Sequence, residues 1–193
     1  MVTNAANAQY SDAQINQLQR KTIRTLTAGQ VLSGFGLGST LSIGALLAQE
    51  LSGTAAWSGA AATFSTLGAA TWAIPLARLA AARGRRYALA AGAGLAITGA
   101  LLVITAAATR TFPLLLVALF LMGAGSATGL QARFAAVDLP SSKHQGRNLS
   151  LVVWATTVGA VIGPNLFGPG EAVGSALGLP HLTGPFVFTI TAQ

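Results

Sequence analysis

A short basic loop, Arg83-Gly84-Arg85-Arg86, separates two long apolar runs and constrains the fold more than any other stretch of the chain. With Arg78 it puts four guanidinium groups beside segments that water would solvate poorly. A charged side chain at the centre of a bilayer costs about 2.5 kcal/mol or more. We therefore expect this loop to stay on one side of a membrane while the flanking runs cross it.

The composition identifies lipid as the solvent. Of the 193 residues, 52% are hydrophobic and only 8% are charged, whereas soluble domains carry about 25% charged residues. A chain with so few polar groups cannot cover a water-facing surface. Backbone groups in hydrocarbon must be hydrogen-bonded within the protein, so long apolar segments cross as helices. The predicted fold is an all-α, polytopic membrane protein.

Charge and cysteine content exclude several other classes of protein. The net charge of +7 falls in short clusters between apolar runs, which is typical of membrane proteins and not of a nucleic-acid-binding face. The chain has no cysteine, so disulfides and thiolate metal sites are ruled out. We predict no metal, no cofactor and no nucleic-acid partner.

The apolar runs divide the chain into a tail and a helical bundle. Residues 1–24 are a polar tail, in which Ser11 to Gln14 fit a capping box for a short surface helix. Residues 168–180 are expected to form a loop rich in glycine and proline. The bundle, residues 25–193, has predicted spans at about 25–51, 56–80, 87–108, 112–137, 148–166 and an incomplete 182–193.

The last predicted span is too short to cross a bilayer, because crossing needs about twenty residues. We therefore expect the chain to be the N-terminal part of a longer protein or a truncated gene product. Its partners would then include the lipid bilayer and the missing C-terminal half.

The basic residues predict the orientation. Nine of the eleven lysines and arginines lie on one side of the predicted bundle, within residues 1–24, 78–86 and 143–147. Arg110 alone lies on the other side, and Arg133 lies within span four. By the positive-inside rule, we expect the N-terminus to be cytoplasmic in a multi-pass protein of the plasma membrane.

Two charged residues near the end of span four are candidates for function. Arg133 lies about one turn inside the span, where an arginine needs protein, water or the head groups around its charge. It either snorkels to the head groups or belongs to a solute pathway. Asp138 ends the span on the side of the arginine loop and is predicted to pair with Arg85 or Arg86.

Two partial motifs resemble the major facilitator superfamily of secondary transporters. The family's loop between spans two and three reads G-x-L-A-D-R-x-G-R-R, and here the stretch from Ala77 to Arg86 keeps Leu79, Ala80, Gly84, Arg85 and Arg86, with Ala81 and Ala82 replacing the aspartate and first arginine. The family's antiporters carry G-x(8)-G-x(3)-G-P-x(2)-G-G in span five. Phe167 departs from that pattern, and the positions that match are Ser150, Gly159, Gly163, Pro164 and Gly168.

The resemblance covers about residues 20–193 and implies the N-terminal six-helix bundle of a twelve-helix transporter, with its sixth helix truncated. It implies alternating-access transport of a small solute, with proton-coupled efflux (drug or metabolite against H⁺) as the finer expectation. The implied cytoplasmic gating loop comprises Gly84, Arg85, Arg86 and Asp138. Polar residues expected along the solute pathway are Gln30, Ser33, Ser126, Gln131 and Arg133.

Two other readings compete with transport. A non-transporting membrane scaffold or gene remnant would also have this composition, because half of a bundle exposes the surface made for the other half. An intramembrane hydrolase would need a nucleophile such as Ser126 with a base within reach. Only His144 and His181 are available, and both fall in or beside loops. We therefore do not expect an enzyme.

Overall fold

The computed structural model describes residues 12–137 and 145–192. The regular secondary structure in these ranges is entirely helical, and short turns join the helices. The helices are α1 Asp12–Ser52, α2 Ala60–Arg83, α3 Arg85–Ala108, α4 Phe112–Val137, α5 Gln145–Asn165, α6 Phe167–Ala176 and α7 Gly184–Ala192. A single 3₁₀ turn, Ala55–Trp57, joins α1 to α2. The all-α prediction is confirmed.

Four of these helices are long and apolar enough to cross a membrane, over Lys21–Ser52, Ala55–Arg83, Arg85–Ala108 and Phe112–Arg133. The helices α5 and α6 together form a fifth candidate if they act as one span, which would be bent by 58° at the break between them. The turn between α2 and α3, at Arg83 to Arg86, marks what we call the basic end of the bundle. The end that carries Glu50, Trp57 and Arg110 is the opposite end.

The first helix is longer than predicted. A short surface helix and a separate span from residue 25 were expected, but α1 is continuous over 41 residues. The helix contains no proline, so every backbone N–H can continue its ladder. At 1.5 Å per residue it measures about 60 Å, twice the hydrocarbon thickness, so its first turns extend beyond the apolar part.

The predicted loop at residues 168–180 is mostly wrong, because α6 covers the greater part of it. Pro169 lies in the first turn of α6, where its missing N–H removes no helical hydrogen bond. Gly170 and Gly174 pack directly on the start of α7. A Cβ on Gly174 would lie 2.8 Å from the α-carbon of Gly184. This tertiary contact holds the helix in place and leaves no local signal in the sequence.

Glycines set how closely the helices approach each other. α1 packs mainly against α5, and α4 packs against both α2 and α3. A Cβ on Gly99 of α3 would lie 2.8 Å from the backbone nitrogen of Met122 in α4, and Gly123 of α4 lies against the backbone of Ser65 in α2. Small residues permit such backbone contact, which replaces the hydrophobic driving force that is absent within lipid.

The largest apolar core lies toward the opposite end. It is built from buried side chains of α1, α3, α4 and the start of α7, which include Ile43, Leu47, Val103, Leu119 and Phe186. At the rim, Trp57 is 47% exposed and meets Phe112 edge-on, with ring centroids 5.2 Å apart. Glu50 and Arg110 pair across the same rim at 3.3 Å. These contacts fix the ends of α1, α3 and α4 around the space described next.

Candidate functional site: a polar cavity beside Arg133

A cavity of about 230 Å³ opens between the helices on the Arg133 side of the apolar core. Six helices contribute to its wall, with α1 and α4 supplying most of it. Hydroxyl and amide groups line one part, and alanine, leucine and methionine line the rest. The lining residues are Gln30, Ser33, Gly36, Leu37, Thr40, Ser65, Ala69, Ala96, Met122, Gly125, Ser126, Gly129, Leu130, Arg133, Thr156 and Thr189.

Four of the five residues predicted along the solute pathway lie together in this wall, namely Gln30, Ser33, Ser126 and Arg133. The fifth, Gln131, is not among the lining residues. Its side-chain oxygen instead accepts a hydrogen bond from Nη1 of Arg85 at 3.4 Å. Gln131 therefore links α4 to the first residue of α3 at the basic end.

Gln30 is held in place by α5. Its side chain is only 3% exposed, and its Oε1 accepts a hydrogen bond from the Thr156 hydroxyl at 2.7 Å. Gly129 of α4 lies on the other side, where a Cβ would be 3.5 Å from the same oxygen. A buried amide without partners costs about 1–3 kcal/mol, so this contact keeps a polar group stable at the centre of three helices.

Arg133 differs from the other residues of the wall. It is the one charged residue among the lining residues that the structure describes. Its Nε is buried and makes no hydrogen bond there. The residue as a whole is only partly buried.

Threonines are the cavity residues that sequence analysis missed. Thr40, Thr156 and Thr189 face the cavity from α1, α5 and α7. Threonine is common in membrane helices, where its hydroxyl bonds to the preceding turn, as Thr40 does to the Gly36 carbonyl at 2.6 Å. Nothing in the local sequence separates a threonine that faces a cavity from one that faces lipid. Thr98, which is exposed on α3, makes the same kind of bond at 2.8 Å.

Three of the predicted gating residues, Gly84, Arg85 and Arg86, lie at the basic end, apart from the cavity wall. Gly84 ends α2 and begins α3 with φ 95° and ψ 158°, a conformation that is essentially restricted to glycine. Arg86 donates from Nη2 to the Tyr87 hydroxyl at 2.7 Å and lies 4.5 Å from the centre of that ring. Asp138, the predicted partner of these arginines, lies outside the described residues.

The antiporter-like motif, which runs through α5 to the start of α6, divides into two groups. Gly159 and Gly163 are buried against α1, and a Cβ on Gly163 would lie 3.1 Å from the α-carbon of Gly38. The Pro164 ring is also close to α1, with Cδ 2.9 Å from the position a Gly38 Cβ would take. Ser150 and Gly168 are exposed.

The cavity lacks the parts of a hydrolytic site. Ser126 lines the wall, but no histidine or carboxylate does so within the described part of the chain. His181 lies between α6 and α7, where its Nε2 is 3.7 Å from Glu171, and His144 lies outside the described residues. The described residues also contain no cluster of histidine and carboxylate groups that could bind a metal ion.

Comparison with known proteins accounts for this architecture. The family model of the Major Facilitator Superfamily matches residues 26–190. Two uncharacterized MFS-type transporters of Bacillus subtilis (strain 168), YddS and YdeG, are each 38% identical to this chain, over 174 and 175 residues. These alignments cover 90% and 91% of the chain but 40% and 41% of the relatives. No solved structure matches.

The chain thus spans about two fifths of the length of the curated relatives it matches. That share fits the predicted N-terminal six-helix part of a twelve-helix fold. The apolar helices and the matched residues, which run from α1 into α7, agree on a multi-pass membrane protein. This chain belongs to the Major Facilitator Superfamily of transporters.

Proposed function

We propose that the complete gene product containing this chain is a secondary transporter, not an enzyme, and moves a small solute by alternating access. The observation that carries the proposal is the cavity, where α1, α4 and α5 bring Gln30, Ser126, Arg133 and Thr156 together inside an apolar bundle. Polar groups inside membrane helices are costly and usually mark a solute or ion pathway.

Uptake of compounds into vesicles tests transport without a known solute. Vesicles containing the complete gene product are incubated with a small-molecule extract of the source cells. Compounds gained relative to protein-free vesicles are identified by mass spectrometry. Ser126→Trp fills the cavity and is expected to abolish the gain, whereas Thr66→Trp, on an exposed position of α2, retains it.

Failure to gain any compound would contradict transport and leave the scaffold interpretation. Retention of transport by Ser126→Trp would show instead that the solute does not pass through this cavity.

We propose the direction and coupling of transport from the antiporter-like residues of α5 and the start of α6. Proton-coupled efflux predicts that an imposed pH gradient drives the solute in the direction opposite to the protons. No carboxylate lines the described cavity wall, so the proton-carrying residue would lie elsewhere in the complete protein. Transport that ignores a pH gradient at zero membrane potential would exclude proton antiport.

The orientation is proposed from the basic end. Nine of the eleven basic residues lie within residues 1–24, 78–86 and 143–147, and these segments should therefore face the cytoplasm of a bacterial plasma membrane. The absence of cysteine from this chain makes a labelling test direct. In intact cells an impermeant maleimide should modify Thr109→Cys and spare Ala82→Cys, and the reverse pattern would invert the topology.

A further role is proposed for the basic end as a gate. Gly84 sets the turn, and Arg85 joins α3 to α4 through Gln131 in the conformation seen here. Arg85 or Arg86 would also meet Asp138. Replacing Asp138 with asparagine should then shift the balance between inward-open and outward-open forms. An unchanged balance and unchanged transport would leave the loop with its topological role alone.

A further inference from the structure

The charge on the cavity wall indicates which kind of solute would bind there. Arg133 brings a full positive charge to a wall whose other described members are neutral. Its Nε is removed from water and has no hydrogen-bond partner among the described residues. Because a buried donor without an acceptor is unfavourable, and more so when the group is charged, an acceptor that binds here in the working protein would be stabilising.

The chain has few carboxylates that could serve as this acceptor. Of the four acidic residues, Glu50 pairs with Arg110 at the opposite end, and Glu171 lies 3.7 Å from His181. Asp12 is the first residue of α1, about 30 Å along the helix from the cavity residues at 1.5 Å per residue. Asp138 lies outside the described residues, and the experiment below tests it directly.

The other residues of the wall indicate the size and polarity of the ligand. Ser33, Ser126 and the amide of Gln30 offer short-range hydrogen bonds, while Leu37, Met122 and Leu130 form an apolar surface beside them. A volume of about 230 Å³ within this chain suits a small organic molecule and not a bare inorganic ion.

We infer that the transported solute is a small organic anion whose carboxylate or phosphate oxygens bind the guanidinium group of Arg133. Arginine presents its donors in a planar fork that matches such oxygens in pairs. The apolar body of the solute then packs against α1 and α4. This inference rests on the proposed transport function and adds the charge of the solute to it.

The experiment uses the extract-fed vesicles described above and compares six forms of the complete gene product: the unmodified protein, Arg133→Gln, Arg133→Lys, Arg78→Gln, Asp138→Asn, and the double variant of Arg133→Gln with Asp138→Asn. Arg133→Gln removes the charge, and Arg133→Lys keeps the charge but loses the fork. Arg78→Gln is the matched control, since it removes an equal charge from an exposed position of α2 outside the cavity wall. Initial rates are then measured with each purified compound that the unmodified protein accumulates.

The inference expects the accumulated compounds to be anions at neutral pH. Arg133→Gln should raise KM for them by about tenfold or more, as loss of a charge-assisted hydrogen bond implies. The KM of Arg133→Lys should lie between those of Arg133→Gln and the unmodified protein. The KM of Arg78→Gln should equal that of the unmodified protein. Far-UV circular dichroism and thermal unfolding of each variant separate loss of binding from loss of fold.

Three results would overturn the inference and leave transport intact. One is accumulation of neutral or cationic compounds. Another is a KM for anions that Arg133→Gln does not change. A third result identifies Asp138 as the counter-ion and also overturns it: Asp138→Asn raises KM as much as Arg133→Gln, and the double variant raises it no further. If no compound accumulates at all, it is the proposed transport function that fails.

Discussion

Gly34 of α1 and Gly159 of α5 face each other so closely that a Cβ on Gly34 would lie 2.8 Å from the α-carbon of Gly159. The reverse substitution would bring a Cβ of Gly159 within 2.9 Å of the α-carbon of Gly34. Gly38 and Gly163 repeat the contact one turn further along. Two helices therefore meet backbone to backbone, next to the hydrogen bond between Thr156 and Gln30.

The first prediction concerns this contact. Gly159→Ala should lower the thermal unfolding midpoint in detergent, because its new methyl group meets main-chain atoms of Val31 and Gly34 that cannot rotate away. Overpacking of this kind costs about 1–3 kcal/mol.

Gly94→Ala on α3 is the matched control, since a Cβ there would meet nothing within 4 Å. The control should be neutral or slightly stabilising, because alanine is the better helix former. Equal midpoints for the two variants would mean that α1 and α5 are further apart than described.

The second prediction concerns the hydrogen bond between Thr156 and Gln30. Thr156→Val keeps the shape of the side chain but leaves the buried Gln30 Oε1 without its donor, which should cost about 1–3 kcal/mol. Thermal unfolding measures the loss. Thr98→Val, on an exposed face of α3, should change the midpoint little.

A double variant sharpens this prediction. Gln30→Leu combined with Thr156→Val removes both polar partners and should recover part of the stability lost by Thr156→Val, since no buried acceptor is left unpaired. Simple addition of the two single effects would show that the hydroxyl and the amide are not coupled.

The third prediction concerns the turn at the basic end. Gly84→Ala should destabilise the protein by about 1–3 kcal/mol, because φ 95° with ψ 158° lies in a region that side chains do not tolerate. Space is not the cause, since a Cβ there would meet nothing within 4 Å. Gly29→Ala, which adds a methyl group to an exposed helical position of α1, should be harmless. Matching midpoints would argue against this turn conformation.

The fourth prediction is a small effect. The pair between Glu50 and Arg110 has side chains that are 42% and 78% exposed, so water screens it strongly. Glu50→Gln should lower stability by about 1 kcal/mol or less, and the difference should shrink further in high salt. A large loss that persists in 1 M salt would mean that the pair is buried in the working protein.

Much of the fold follows from the sequence, because its main signals are local. Apolar length and the positions of charges predicted the spans that became α2, α3 and α4 to within a few residues. A surface helix separate from the first span was expected because Arg20, Lys21 and Arg24 were interpreted as the end of that helix, whereas α1 continues through them from Asp12 to Ser52. The helix α6 was missed because its support comes from α7 and not from its own residues.

The cavity was predictable only in part, for a similar reason. Gln30 and Arg133 are conspicuous, since polar side chains in apolar helices need an explanation. Thr156 and Thr189 are not, because a threonine can satisfy its hydroxyl within its own helix wherever it faces. Leu130 lines the cavity, and Gln131 is the next residue on α4. Successive helical residues point about 100° apart, so Gln131 faces Arg85 and not the cavity.

The glycine contact between α1 and α5 also has a mechanical consequence. Where side chains interdigitate, changes of rotamer can accommodate small shifts of one helix against another. Two helices whose backbones touch cannot adjust in this way. We therefore expect any rearrangement that opens or closes the cavity to move α1 and α5 as one unit, so that Thr156 and Gln30 stay together. The contacts that change would then be those of α1 and α5 with the other helices, and Arg133 on α4 would move relative to Gln30.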